Sequence, residues 1–285
     1  MKNKVKVITI AGNGTNCEIE TAFAFKLAGA EVSDIVHISR IIYGEVKLDD
    51  YHILALAGGF LDGDDLGAAK AMANRLKFSK IEETEERLID SILKFVSEKK
   101  LIIGICNGFQ LMVKTGLLPA IGGTYKTQST TITYNDSGRF EDRWVYLKVN
   151  EKSPSVFTKG VRTLYLPVRH GEGKFVAEEN VLDELDSGNL VAFRYTDEKY
   201  QPTMEYPQNP NGSFRSIAGI TDESGRLMAL MPHPEGHMFF TQHPRWTRVE
   251  TQKGQEGEFN PAGDTIGEGL ILFKNGVKYV RENLL

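Results

Sequence analysis

Cysteine is scarce in this sequence: Cys17 and Cys106 are the only two in 285 residues. They stand far apart and form no CxxC pair, which excludes a disulfide framework and a zinc knuckle. Long hydrophobic runs are missing as well. No apolar stretch approaches the ~18 residues of a membrane helix. An excess of one charge is absent too. Lys+Arg is 34 and Asp+Glu is 38, a balance of −4 with no basic block, which argues against nucleic acid as a partner. No G-x-x-x-x-G-K-[ST] occurs, so no phosphate-binding loop for ATP is expected on this chain. The opening MKNKVKVITIAGNG lacks a small-residue cleavage pattern and reads as a first β-strand, not a signal peptide. The expectation is a cytoplasmic chain with free thiols. Apolar residues make up 41% and charged residues 25%, as in ordinary globular proteins. A chain of this size buries roughly three quarters of its unfolded surface.

What is present is an alternation of strand and helix. Residues 5–11 form an apolar run ending in the turn GNGTN. Residues 18–28 have helical spacing, with Ile19, Phe23 and Leu27 on one face and Gly29 as a stop. Strands are expected at 32–38 and 52–57, helices at 65–76 and 81–98. The run LIIGI at 101–105 is apolar throughout, as in central parallel strands covered on both faces. This βαβ rhythm predicts a doubly wound, mostly parallel α/β sheet with flanking helices. In the second half, 124–134 and 139–149 read as antiparallel strands joined by the turn NDSG. Further short strands are expected at 163–168, 189–195, 214–221 and 226–231. Residues 241–265, rich in Gly, Gln and Pro, read as a long ordered loop, and 269–283 as a closing helix. No repeat or composition break demands a second domain, so 1–285 reads as one.

The sharpest chemical signal is GICNGFQ at 104–110. An apolar strand runs into Gly-x-Cys-x-Gly and then a helix, which is a nucleophile elbow with cysteine for serine. The glycines leave room around a tight, strained turn. Cys106 then sits at the N-terminus of a helix over 107–115, where free N–H groups and the dipole favour a thiolate and cradle an oxyanion. The plainer reading of Cys106 is a small buried hydrophobe. A cysteine nucleophile needs a base and a group to orient it. His233 follows the strand RLMALM in MPHPEGH, with Glu235 two residues on; in extended backbone both side chains project the same way. The plainer reading is a loop histidine beside a surface glutamate. Gly58-Gly59-Phe60 ends the third strand, where glycines let N–H groups approach a substrate. The turn GNGTNC at 12–17 imitates a dinucleotide loop, but Cys17 replaces its third glycine. Cys17 itself reads as structural. His233, His237 and His243 cluster in sequence, yet Pro234 and Gly236 oppose a helical i,i+4 metal pair. No metal site is expected.

GICNGFQ followed 127 positions later by HPE (106 to 233) resembles a class I, triad-type glutamine amidotransferase. More narrowly, the chain resembles the glutaminase component of phosphoribosylformylglycinamidine synthase. The stretches that carry the likeness are AGNGTNCE, AGGFLDGDDLGA, GICNGFQLM, NDSGRFEDR, HGEG, YPQNPNGS and MPHPE, spread over most of the sequence. In detail they are also similar to the glutaminase domain fused to large single-chain synthases. Two departures stand out: Gly236-His237 where the family has Arg after HPE, and Leu61-Asp62 where it has Ser-Tyr after GGF.

The resemblance implies a flavodoxin-like fold and glutamine as substrate. It implies Cys106, His233 and Glu235 as the catalytic set, with Gly58, Gly59, Asn107 and Gln110 around the oxyanion and substrate. Gly59 and Asn107 would supply the oxyanion N–H groups. It implies no cofactor on this chain. Ammonia would pass to a synthase subunit using ATP and Mg, with or without a small accessory subunit. Two alternatives stand beside this. One is a thiol hydrolase of the α/β-hydrolase type, whose triads run nucleophile, acid, histidine, whereas here the acid follows the histidine. The other is a non-catalytic amidotransferase-like regulatory subunit.

Overall fold

A computed structural model describes residues 4–82, 84–255 and 265–285. Strand β1 (Lys6–Ala11) leads through α1 (Glu18–Leu27) to β2 (Val32–His37), then α2 (Ile38–Ile42) and β3 (Ile53–Leu56). Helices α3 (Lys70–Phe78) and α4 (Leu88–Ser97) precede β4 (Leu101–Ile105) and α5 (Asn107–Thr115). The second half runs β5 (Thr130–Tyr134), β6 (Glu141–Val149), β7 (Thr163–His170), β8 (Glu172–Ala177), α6 (Glu179–Ser187) and β9 (Val191–Thr196). It closes with β10 (Ile217–Thr221), β11 (Leu227–Leu230), α7 (Trp246–Gln255) and α8 (Leu270–Asn283).

One nine-stranded sheet has the order β2-β1-β3-β4-β11-β10-β9-β6-β7. Its first five strands are parallel and the remainder antiparallel. The expected mostly parallel half and antiparallel second half are both present. Every residue of β3, β4 and β11 is buried, because helices cover both faces there. Core side chains from both halves join in one cluster. In α4, Leu88, Ile89, Ile92, Phe95 and Val96 recur at helical spacing and are buried. Helix α5 is buried at all nine positions. Strands β5 and β8 form a separate antiparallel ribbon over it, with Phe109 of α5 stacked on Phe175 of β8 at 6.1 Å.

Several expectations are corrected. The stretches 124–134 and 139–149 do not pair: β5 joins β8, and β6 joins β7 and β9. NDSG is thus a crossing between two sheets. The reading of Ile19, Phe23 and Leu27 as the packed face of α1 is also wrong, since Ile19 is 66% and Phe23 43% exposed. The helix instead buries Thr21, Ala22, Ala24 and Phe25. Small residues let it approach β2, where Ser33 Oγ donates to Ala22 O (2.9 Å), and Phe25 meets Phe273 of α8 edge-on at 4.9 Å. Strand β8 and helix α6 went unforeseen. Within 241–265, residues of α7 are helical, which replaces the loop expected there. Residues 256–264 lie outside those described.

Candidate active site

The topology determines where the chemistry converges. Strands β3, β4 and β11 are adjacent and parallel, with Leu56 opposite Gly104 and Leu230 opposite Ile105. Their carboxyl ends therefore lie side by side, about 4.8 Å apart. Gly58-Gly59 leaves the first, Cys106 the second and His233 the third. This is the crevice position typical of open α/β sheets.

Cys106 has φ +51° and ψ −104°, a conformation costly for a residue with a side chain, and caps α5. The surroundings enforce it. A Cβ on Gly108 would lie 2.0 Å from Leu56 O, and one on Gly104 would lie 2.7 Å from Met112 Sδ. Both glycines of the elbow are thus fixed by close packing against β3 and α5. Cys106 is 5% exposed, and its Sγ lies 3.6 Å from Arg169 O.

His233 Nδ1 and Glu235 Oε1 are 2.5 Å apart, and both residues are buried. The His233 N–H donates to Pro167 O (2.8 Å), tying this turn to β7. Nδ1 is committed to Glu235, so Nε2, buried and without a hydrogen-bond partner, is the nitrogen left to serve Cys106. Burial opposes a charged ring here. The charges of Glu235 and Cys106 more than offset it and raise the His233 pKa well above its usual value.

The Gly58-Gly59 turn is laced to the loop at 12–17. Gly58 O accepts from the N–H groups of Asn16 and Cys17 (3.1 Å each), and Phe60 N–H donates to Gly14 O (2.7 Å). In a trans peptide the C=O and the following N–H point oppositely. The Gly59 N–H therefore faces away from that loop, and Gly59 lines the cleft. Gly59 has φ +137°, and a Cβ there would meet Asn16 N at 2.6 Å. The loop that imitates a dinucleotide motif is in fact the brace of this turn.

Asn107 and Gln110 extend the brace. Leu61 N–H donates to Asn107 Oδ1 (3.2 Å), Asn107 Nδ2 to Gln110 Oε1 (2.9 Å), and Gln110 Nε2 to Glu172 O (2.5 Å). The Glu172 carboxylate accepts from Ala68 N–H, and the buried Lys114 ammonium donates to Ala68 O. Side chains of Asn107 and Gln110 thus hold the walls together, while the Asn107 N–H at the first turn of α5 has no carbonyl four residues back within the helix. The departure Leu61 is buried and takes part in this bracing; its neighbour Asp62 pairs with Arg75 at 3.0 Å.

Sequence reasoning missed the opposite wall. His170, at the end of β7, is fully enclosed between two asparagines. Asn135 Nδ2 donates to the carbonyls of Arg139 and His170 (2.8 Å each), so its Oδ1 faces His170 Nδ1 at 3.2 Å. Asn211 Nδ2 reaches His170 Nε2 (3.4 Å) and Tyr195 OH (3.0 Å). Both ring nitrogens are thereby committed in the neutral form. Burial, with the nearby His233 charge, lowers the His170 pKa to about 3. NDSGRFEDR, HGEG and NPNGS, separate in sequence, meet in this one network. The signal was present in those motifs but carried no distance information.

Cys17 is the other difference. Its Sγ lies 3.8 Å from His233 Nδ1 and on the cleft wall, so its place is in the site and not merely in the scaffold. Burial raises its pKa, with the Glu235 charge in the same direction. The histidine cluster dissolves instead: His237 Nδ1 is bonded to Tyr165 O (3.0 Å), and His237 and His243 pack against Trp144. The cleft holds about 550 Å³ and includes Arg139, Arg169, Glu20 and Asp64 beside Cys106 and His233. It offers charges of both signs to a zwitterion.

Fold and elbow together are those of a cysteine-type amidotransferase, and comparison with known proteins agrees. The profile of the CobB/CobQ-like glutamine amidotransferase domain matches residues 4–280. Phosphoribosylformylglycinamidine synthase subunit PurQ of Dehalococcoides mccartyi is 45% identical over 98% of this chain and 99% of its own length. A probable phosphoribosylformylglycinamidine synthase, chloroplastic/mitochondrial, of Arabidopsis thaliana is 35% identical over 85% of this chain, which matches 17% of that longer protein. Among solved structures, PurLQS from Thermotoga maritima superposes with a TM-score of 0.67 at 26% identity, covering 97% of this chain and 99% of that one. The chain belongs to the PurQ family of glutamine amidotransferases.

Proposed function

We propose that this chain hydrolyses glutamine to glutamate and ammonia and delivers the ammonia to a synthase subunit that makes phosphoribosylformylglycinamidine. The observation that carries the reading is the meeting of Cys106, on its strained elbow, with the buried His233–Glu235 pair at the ends of adjacent parallel strands. The Cys106 thiolate attacks the carboxamide carbon. The N–H groups of Gly59 and Asn107 receive the developing oxyanion. His233 Nε2–H protonates the departing ammonia, leaving a glutamyl thioester on Cys106. His233 then takes a proton from water as it attacks the thioester, and glutamate leaves. Glu235 holds the ring in one tautomer and stabilises imidazolium.

Ammonia stays uncharged only when kept from water, so a sheltered route to the partner belongs to the reading. ATP and Mg act on the synthase partner and no cofactor acts here. A small accessory subunit is compatible with the same division of labour. The cytoplasm is the proposed location; among the described residues no helix is long and apolar enough to cross a membrane. Residues 1–285 act as one amidotransferase unit, supported by a core cluster that joins both halves of the described residues.

The test is glutamate release from glutamine, by the chain alone and with the synthase and its nucleotide. Release that rises with the partner and is lost in Cys106→Ala is expected. Esters turned over without any turnover of glutamine would favour a thiol hydrolase instead. Glutamine-dependent synthesis that survives Cys106→Ala in the complex would favour a regulatory subunit.

A further inference from the structure

The mechanism gives the Cys17 thiol no part, although it lies in the site. Cys17 Sγ stands 3.8 Å from His233 Nδ1, and donor atoms of Cys17, His233 and Glu235 all lie within 4.8 Å of one another. Glu235 Oε2 is buried and has no hydrogen-bond partner. Glu235 is 2% exposed, so water does not readily serve that oxygen. A carboxylate with one unpaired oxygen, an imidazole nitrogen and a thiol are therefore gathered in one buried cluster.

Their spacing suits a metal ion. Zinc bonds sulfur at ~2.3 Å and imidazole nitrogen at ~2.0 Å in tetrahedral geometry. Those lengths place sulfur and nitrogen roughly 3.6 Å apart across one edge, close to the 3.8 Å found. A thiolate, imidazole and carboxylate set selects zinc-like ions over magnesium or calcium. We propose that Cys17, His233 and Glu235 form a three-ligand site for a thiophilic divalent cation, and that the cation holds the glutaminase centre inactive.

Binding displaces two protons, one from the Cys17 thiol and one from His233 Nδ1. The Nδ1–Oε1 distance of 2.5 Å is a hydrogen bond and too short for two ligands of one ion. The Glu235 carboxylate must swing away from Nδ1 and offer Oε2 while the ring keeps its place beside Cys17, so the ion binds at the expense of the dyad. With Nδ1 on the metal, the ring keeps its proton on Nε2 and cannot accept one from Cys106 or water. Substrate or water fills the fourth position, on the cleft side.

Binding does not depend on the glutaminase reading, whereas inhibition does. The experiment separates them. Cobalt(II) chloride is titrated into the full chain and the thiolate-to-cobalt charge-transfer absorption is followed. Saturation at one equivalent is expected in the wild type and in Cys106→Ala. The band disappears in Cys17→Ser, and His233→Gln, which keeps the thiol, weakens binding at least tenfold. No stoichiometric band in the wild type, or a band that survives Cys17→Ser and vanishes in Cys106→Ala, overturns the site. In the second arm, zinc chloride is added to the glutaminase assay of the complex. Inhibition reversed by a chelator, and needing at least tenfold more zinc in Cys17→Ser, supports the inactivation. Equal zinc sensitivity of the two proteins refutes it.

Discussion

Replacing Gly58 by alanine places a methyl group at the centre of the site. Its Cβ would lie 2.8 Å from His233 Cε1, 3.3 Å from Cys17 Sγ and 3.5 Å from Cys106 Cβ. The backbone of residue 58 cannot retreat easily, because its carbonyl is held by two N–H groups at 3.1 Å each. Gly58 has no left-handed φ, so the substitution adds bulk without backbone strain. The imidazole must yield, by about 0.7 Å to restore ordinary carbon–carbon contact. That shift disturbs both the 2.5 Å bond to Glu235 and the approach of Nε2 to Cys106. A misplacement near 1 Å costs about 10²-fold in rate, so a fall of about 30- to 100-fold in kcat/KM is expected. That corresponds to about 2–3 kcal/mol of transition-state stabilisation. Overpacking costs about 1–3 kcal/mol of stability, which leaves the variant folded with a Tm lowered by less than about 10 °C. The assay is glutamate release in the presence of synthase and nucleotide, with thermal unfolding followed by circular dichroism. A folded Gly58→Ala protein with wild-type activity would show that His233 does not act from the position described.

Cys106→Ala should abolish glutamine-dependent synthesis by the complex and leave ammonia-dependent synthesis intact; loss of both in an assembled complex contradicts the division of labour. Glu235→Gln should lower turnover less than His233→Ala, since orientation matters less than proton transfer, and steady-state kinetics decide the order. The raised His233 pKa contributes stability that is fully present below about pH 6.5 and lost as pH rises through the folded value. The stability gap between wild type and Glu235→Gln, measured by urea unfolding, should therefore be wider at pH 6 than at alkaline pH. His170 has the opposite sign. It is neutral when folded down to about pH 3, while the unfolded chain takes up its proton below about 6.5. Between those values it removes up to about 1.4 kcal/mol of stability per pH unit, and urea midpoints for His170→Gln should show a flatter acid limb. Gly108→Ala, whose Cβ would lie 2.0 Å from Leu56 O, should lose at least about 3 kcal/mol, read as a lower Tm; an unchanged Tm would mean α5 can move away from β3.

How far the sequence revealed the site depended on distance along the chain. The elbow at 104–108 and the His233–Glu235 pair are local patterns, five and three residues long, and the structure brings both to one point. The bounds of β4 and α5 were legible for the same reason, an apolar run broken by special turn residues. The His170 network was not legible, because Asn135 follows β5, His170 ends β7 and Asn211 lies between β9 and β10, and only the fold joins them. Cys17 failed for a similar reason: nothing local says that the loop after β1 folds against the turn after β3. The face of α1 was misread because large apolar residues were taken for the packed ones. Close approach of helix to sheet favours alanine and threonine instead, leaving Ile19 and Phe23 outside. β5 and β6 look like a hairpin in sequence because each carries strand pattern beside a turn, and only the competing partners β8, β7 and β9 decide otherwise.

The central claim is that Cys106 forms a covalent bond to the substrate. Complex turning over glutamine is quenched in acid, digested, and its cysteine peptides are weighed. The mass of one glutamyl group on the Cys106 peptide, absent from the Cys17 peptide and absent throughout in Cys106→Ala, is expected. A glutamyl group on Cys17, or none on either cysteine while glutamate is being released and His233→Gln has slowed thioester hydrolysis, would contradict the account.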